Sequence, residues 1–386
     1  MGGDLTAKKV GIITFHNSYN CGSMLQAYAL QQVVDRITGE HSEIIDFSNE
    51  QQRQLYSVRQ PYKGIKNILK NIILAPRFHI IEKNYNSYEE FKKNNFNLSE
   101  ASVRKMDDLS DDSYDIIVAG SDQIWNITIE DADDAYFLPW VKSAKKIAYA
   151  PSFGAKDISK YAKNPQQYAE YLKSFTALSI RERNGQQWLQ AMTGKMAELL
   201  LDPTLLLDKE DYDVITSKIL QLPPRYIFYY SPGYSYDINR LVHKIAKKYK
   251  LPVIAFNAKT FYVKGMQFSG FKLPELENPS TYLQLIKNAE LIITTSFHGT
   301  VFSSIYRKKF WTIKNGGMFG DDDRVKTLMH LLDLEDRLIS IRFNDTLDYL
   351  HEKDYMMYET RLGQEREKAY KYLKKVLLCK EDGVIG

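Results

Sequence analysis

Side chains able to do chemistry collect in this sequence where an apolar run stops and a helix starts. The clearest such place reads LIITTSFHGTVFSSIYRKKFWTI, from Leu291 to Ile313. Leu291 to Ile293 is apolar and Thr294 to Ser296 is small and polar. Val301, Phe302, Ile305 and Tyr306 then recur at helical spacing before a second β-prone run, Phe310 to Ile313. Strand, turn, helix and strand in that order make a right-handed crossover within a parallel sheet. His298 sits in the turn, at the carboxyl end of a strand, where open α/β sheets form their ligand crevices. The unpaired amides that open the next helix favour an anion. Gly299 lets the backbone come close to a ligand, and Thr300 is placed to cap the helix. Ser296, His298, Gly299 and Thr300 are therefore a candidate anion and acid/base site. The plainer alternative is a histidine that bonds a neighbouring carbonyl and closes a loop.

Three more turns repeat the pattern. KVGIITF, Lys9 to Phe15, is a β-branched run followed by HNSYNCG, in which Asn17, Tyr19 and Asn20 could hold a sugar or phosphate or serve as ordinary turn residues. Ser23 is the expected cap of the next helix, whose Met24, Leu25, Tyr28, Ala29, Gln32 and Val33 share one face. YDIIVA, Tyr114 to Ala119, runs into Gly120, Ser121 and Asp122, where the aspartate can orient a substrate hydroxyl or cap a helix. The short strand Leu178 to Arg181 ends in an arginine suited to a carboxylate or phosphate, or to a plain ion pair. Beyond Ile313 a glycine-rich loop leads to Asp321, Asp322, Asp323 and Arg324. Adjacent aspartates point in different directions, so helix N-terminal charge explains them better than a metal, and no metal site is expected.

The elements that must carry these residues are strands alternating with helices, which predicts an α/β protein with parallel sheets. The 386 residues are long for one core, so two domains are expected, with Pro223-Pro224 marking a break between them. Lys+Arg 52 against Asp+Glu 48 gives +4, too mild to argue for nucleic acid but compatible with a small anion or an anionic membrane surface. Two cysteines exclude a disulfide framework and a structural zinc set. Neither a run of ~18 apolar residues nor a secretory leader is visible, so the expected location is the cytoplasm. Between Pro61 and Glu100 the pattern turns basic and helical. Ile65, Ile68, Leu69, Ile72 and Ile73 share one face and Lys63, Lys66 and Lys70 another, ahead of Pro76. An excursion packed on its domain is the favoured reading over a helix resting on the inner face of a membrane.

Six blocks in order, GIITFHNSYNCGSMLQAYAL, DIIVAGSDQIWN, KIAYAPSFG, LSIRERNGQQWL, LLDPTLLL and AELIITTSFHGTVFSSIYRKKF, together resemble the polysaccharide pyruvyl transferase family from Lys9 to about Arg337. The resemblance implies a GT-B-like fold of two Rossmann-like domains facing a cleft. That corresponds to 1–215 with a helical excursion at 61–100, 216–345, and a final helix in 346–386 packing back on the first domain. It implies transfer of a pyruvyl group from phosphoenolpyruvate to two hydroxyls of a sugar, releasing phosphate and needing no cofactor. The family histidine matches His298 and its strand-end arginine matches Arg181. Many members carry an arginine where this chain has Ser296, so the rest of the anion clamp falls to Arg324 or to helix amides. The acceptor, a glycan free or lipid-linked, is expected at Asn17, Tyr19, Asn20, Ser121 and Asp122. Two other functions suit the same fold: a glycosyltransferase using a nucleotide sugar, and a glycan-binding protein without catalysis.

Overall fold

The computed structural model describes residues 8–61, 64–216, 221–314 and 323–379. Asp321, Asp322, Lys63 and most of the glycine-rich loop after Ile313 lie outside these.

The β-prone runs become strands because they can be covered on both faces. β1 (Val10–Ile13), β3 (Ile116–Ala119), β7 (Ile227–Tyr230), β9 (Leu291–Thr294) and β10 (Phe310–Ile313) are buried at every position, as parallel strands between helical layers must be. With β2 (Glu43–Ile44) and β4 (Lys145–Ala148) the first sheet runs β2-β1-β3-β4, all parallel. A parallel pair, β5 (Ser179–Ile180) and β6 (Glu198–Leu199), extends it through the Ile147–Ala177 bridge. The second sheet, with β8 (Val253–Ala255) and β11 (Leu338–Ile339), runs β11-β10-β9-β7-β8, again parallel.

Both sheets are wound outwards from a central pair, β1 beside β3 and β7 beside β9. The carboxyl ends of those pairs are topological switch points, where the chain leaves in opposite directions and a crevice opens.

A shared apolar core clamps the two sheets together on one side. Tyr28 of the first helix (Cys21–Thr38) meets Tyr212, and Tyr212 packs edge-on against Phe302 with ring centroids 5.0 Å apart. The last helix (Met356–Leu378) buries Ala369, Leu373, Val376 and Leu377. Its Tyr372 hydroxyl donates to Ala148 O in the first sheet, and its Tyr358 hydroxyl to Ser304 in the second unit. Among the described residues, no helix is long and apolar enough to cross a membrane.

Two local expectations are corrected. The first helix is capped by Asn20, whose side chain accepts from Gly22 N at 3.0 Å, so Ser23 lies inside the helix. Of the two α-helices in the 61–100 stretch, Phe78–Asn95 packs inward by Ile81, Tyr88 and Phe91, but Ile65–Leu74 does not pack by its apolar face: Asn71 and Leu74 are its buried positions, and the isoleucine face is exposed.

Candidate active site

Both switch points open onto one cavity of about 540 Å³, walled by Asn20, Ser23 and Asp122 from the first sheet and by Pro232, Ser296 and His298 from the second. Arg181 and Arg324 line it as well.

His298 arrives from the second sheet. β9 ends at Thr294, whose hydroxyl donates to Tyr230 O, and Ser296 then caps the helix Phe297–Ile305 by accepting from Gly299 N at 3.3 Å. This places His298 in the first turn, 7% exposed, with Nε2 3.4 Å from Oδ2 of Asp202. That separation is too long for a well-formed hydrogen bond, and among the described residues His298 Nε2 has no hydrogen-bond partner. The ring also lies against the first helix, so closely that a Cβ on Gly22 would fall 2.3 Å from Nδ1. Only a glycine lets the two backbones and this imidazole share that space.

Arg181 directly follows β5 and is buried between two carboxylates. Nη2 donates to Asp122 Oδ1 at 2.9 Å and Nη1 to Asp202 Oδ2, while the guanidinium stacks over Phe297 at 4.5 Å. Asp122 also accepts from Ser23 Oγ at 2.5 Å and holds a left-handed backbone with φ of 67°, a conformation that costs energy and is kept at functional sites. Asp202 accepts from Thr204 N and Oγ1 through its other oxygen. Burial pushes both carboxyls up, but the charges of Arg181 and His298 outweigh it and hold Asp122 and Asp202 below the usual carboxylate range. Among the described residues Arg181 Nε has no hydrogen-bond partner, and it is shielded from water. An orphaned N–H in a buried ion cluster is an uncommon feature that calls for an explanation.

Glu182, next to Arg181, faces away into the first domain, accepting from Ser152 Oγ and Phe153 N, and its Oε2 finds no hydrogen-bond partner among the described residues. Burial raises its pKa to about 7 against the opposing charges of Arg181 and Arg324. Arg324 is buried at the start of the helix Asp323–Leu331, which docks on the first domain: Asp323 accepts from Asn184 N at 2.9 Å.

The sequence-expected residues divide. His298, Ser296, Arg181, Arg324, Asn20 and Asp122 converge on the cavity. Gly299 and Thr300 do not serve it. A Cβ on Gly299 would fall 2.2 Å from Thr294 Oγ1, so this glycine seats the helix on its strand, and its amide is taken by Ser296. Thr300 is not the cap; its hydroxyl is buried against Thr312 and Ser296 O. The amides left to an anion are those of Phe297 and His298, in the first turn. Ser121 is fully buried and donates to Ala150 O. Asn17 is engaged by Ser48 and Lys92, off the cavity wall. Tyr19 lines instead a neighbouring cavity of about 270 Å³ with Tyr56, Tyr85, Tyr88, Lys259 and Glu277. Leu55 and Tyr56 line both cavities. Glu277 is buried there, its Oε1 without a hydrogen-bond partner among the described residues and its pKa pushed up to about 7 by desolvation.

Asp202, Gly22 and Glu182 went unrecognised in the sequence. An aspartate directly after an apolar run and before a proline, LLDP, was the available signal for the first.

No curated protein sequence matches the chain. Among solved structures it is similar to UDP-GlcNAc 2-epimerase from Neisseria meningitidis bound to UDP-GlcNAc, at 10% identity and TM-score 0.45, over 96% of this chain and 99% of that one. It is also similar to E. coli ADP-heptose lps heptosyltransferase II, at 11% identity and TM-score 0.36, over 94% and 99%. Likeness at this level says nothing of substrate. Its own topology, two doubly wound parallel sheets whose switch points face one cavity, is GT-B-like. A family model described as polysaccharide pyruvyl transferase matches residues 20–317, a span that takes in Asp122, Arg181, Asp202 and His298. The chain belongs to the polysaccharide pyruvyl transferase family.

Proposed function

We propose that this protein transfers the pyruvyl group of phosphoenolpyruvate onto two hydroxyls of one sugar in a surface-polysaccharide precursor, forming a cyclic ketal and phosphate in the cytoplasm. The observation that carries the reading is the contact of His298 with Asp202 beside Arg181, at the cavity both switch points share. Phosphoenolpyruvate needs cations or amides for its carboxylate and phosphate, and an acid for its methylene carbon. Arg181 spends one N–H of each Nη on the aspartates, and the N–H groups that remain, with its charge, are what it offers the substrate. Arg324 and the first amides of the His298 helix supply the rest of the clamp.

In this reading protonated His298, held by the Asp202 carboxylate, delivers its proton to the methylene carbon, which becomes a methyl group. The adjacent carbon turns electrophilic and one sugar hydroxyl adds, its proton returning to the imidazole. Phosphate then leaves with its bridging oxygen, and the second hydroxyl closes the ring while its proton goes to phosphate. Nothing is oxidised or reduced. Asn20 and Asp122 stand on the cavity wall where the acceptor hydroxyls would lie, and the tyrosine-rich neighbouring cavity suits the remainder of the glycan.

The test is phosphate release from phosphoenolpyruvate with a panel of free and lipid-linked glycosides, without any sugar nucleotide. Acceptor-dependent release supports the proposal. Transfer from a nucleotide sugar instead, or glycan binding with no phosphate released, overturns it.

A further inference from the structure

The helix Ile65–Leu74 is turned inside out for a soluble protein. Ile65, Ile68, Leu69, Ile72 and Ile73 are 76%, 40%, 53%, 62% and 46% exposed and follow one another along a single stripe. Its inward side is fixed by a polar residue. Asn71 is buried, its Nδ2 donating to Gln60 O at 2.8 Å and its Oδ1 accepting from Gln60 N at 2.9 Å. Those two bonds would be lost if the helix rolled to hide its isoleucines, and a buried amide without partners is costly. The outward apolar face is therefore held in place by the fold.

Charge says what covers it. Lys66 and Lys70 are exposed along one margin of the stripe, and Arg77 is exposed just past the helix. Between Glu50 and Glu82 the sequence holds Arg53, Arg59, Lys63, Lys66, Lys70 and Arg77 and no acidic residue. A second copy of the chain laid on this face would set basic against basic, whereas an anionic bilayer offers hydrocarbon to the isoleucines and head groups to the lysines. We infer that the helix Ile65–Leu74 is a membrane-docking element that seats the protein on an anionic lipid surface. The helix packs on Ala258–Val263, and Ala258, Lys259 and Thr260 of that segment wall the tyrosine-lined cavity. Docking thus brings that cavity close to the lipid head groups. The inference goes beyond the reading of the cleft, and its test reads lipid binding alone.

The experiment is co-sedimentation of the full chain with vesicles of phosphatidylcholine, with and without phosphatidylglycerol, together with light scattering of the lipid-free protein. The wild type should pellet with the anionic vesicles and be released by high salt. The double variant Ile68→Asp/Ile72→Asp should lose at least about tenfold in partitioning. Lys66→Glu/Lys70→Glu should lose about tenfold or more. All these positions are exposed, so thermal melts should match the wild type. A wild type that stays in the supernatant with anionic vesicles overturns the inference. So does a lipid-free dimer that Ile68→Asp/Ile72→Asp turns into a monomer, which would make the face a contact between copies.

Discussion

Oδ2 of Asp202 lies 3.4 Å from Nε2 of His298 and accepts from Arg181 Nη1 as well, so one carboxylate oxygen from the first domain orients the acid/base candidate of the second. Asp202 is thereby a positioning residue. Asp202→Asn keeps an oxygen for Thr204 but removes the charge that both Arg181 and His298 face. Turnover should fall at least about tenfold while KM for phosphoenolpyruvate changes less. Asp202→Ala strips Arg181 and Thr204 of a partner and should cost about 3–5 kcal/mol in urea unfolding. Unchanged turnover in a folded Asp202→Asn protein would remove Asp202 from the account.

Gly22 gives a test of position without touching charge. The added Cβ of Gly22→Ala would stand 2.3 Å from His298 Nδ1, so the imidazole or the helix must shift. Overpacking of this kind costs about 1–3 kcal/mol, and a reacting group displaced by about 1 Å costs up to about 10² in rate. Steady-state kinetics should show the lower turnover. Wild-type turnover would mean the imidazole is free to move.

Glu182 predicts how stability depends on pH. Its folded pKa is raised to about 7, chiefly by burial. The native state thus keeps this proton after the unfolded chain has released it at about pH 4.3. The stability it contributes is complete below that value and is lost as pH rises through about 7. Glu277, raised the same way, adds to the same slope, while Asp122 and Asp202, held low, act only at the acid end. The thermal midpoint should fall from about pH 5 to about pH 8, and Glu182→Gln should flatten that fall. Equal slopes in the two proteins would refute it.

What was legible in the sequence follows from what depends on local pattern. β1, β3, β7 and β9 could be read because strands buried on both faces must be continuously apolar. Arg181 and His298 could be read because each follows closely on such a strand. Asp202 was not, since LLDP marks it locally as the cap that accepts from Thr204, whereas its contacts with Arg181 and His298 come from residues distant in sequence. Asn17 and Ser121 share the strand-end position of Asn20 and Asp122, yet engage their own domain, because neighbouring turn residues point different ways. The Ile65–Leu74 helix shows the limit most plainly. Its period defines an apolar face, but the direction of that face is set by Asn71 and Gln60, eleven residues apart.

The central claim is most directly tested by analysing the glycan product itself. Purified protein, phosphoenolpyruvate and a glycoside acceptor, followed by mass spectrometry together with phosphate determination, should give one pyruvyl ketal per phosphate released. His298→Ala, shown folded by its thermal melt, should slow both together by about 10²–10⁴. Phosphate released without a ketal, or ketal formation at the wild-type rate in His298→Ala, would contradict the account.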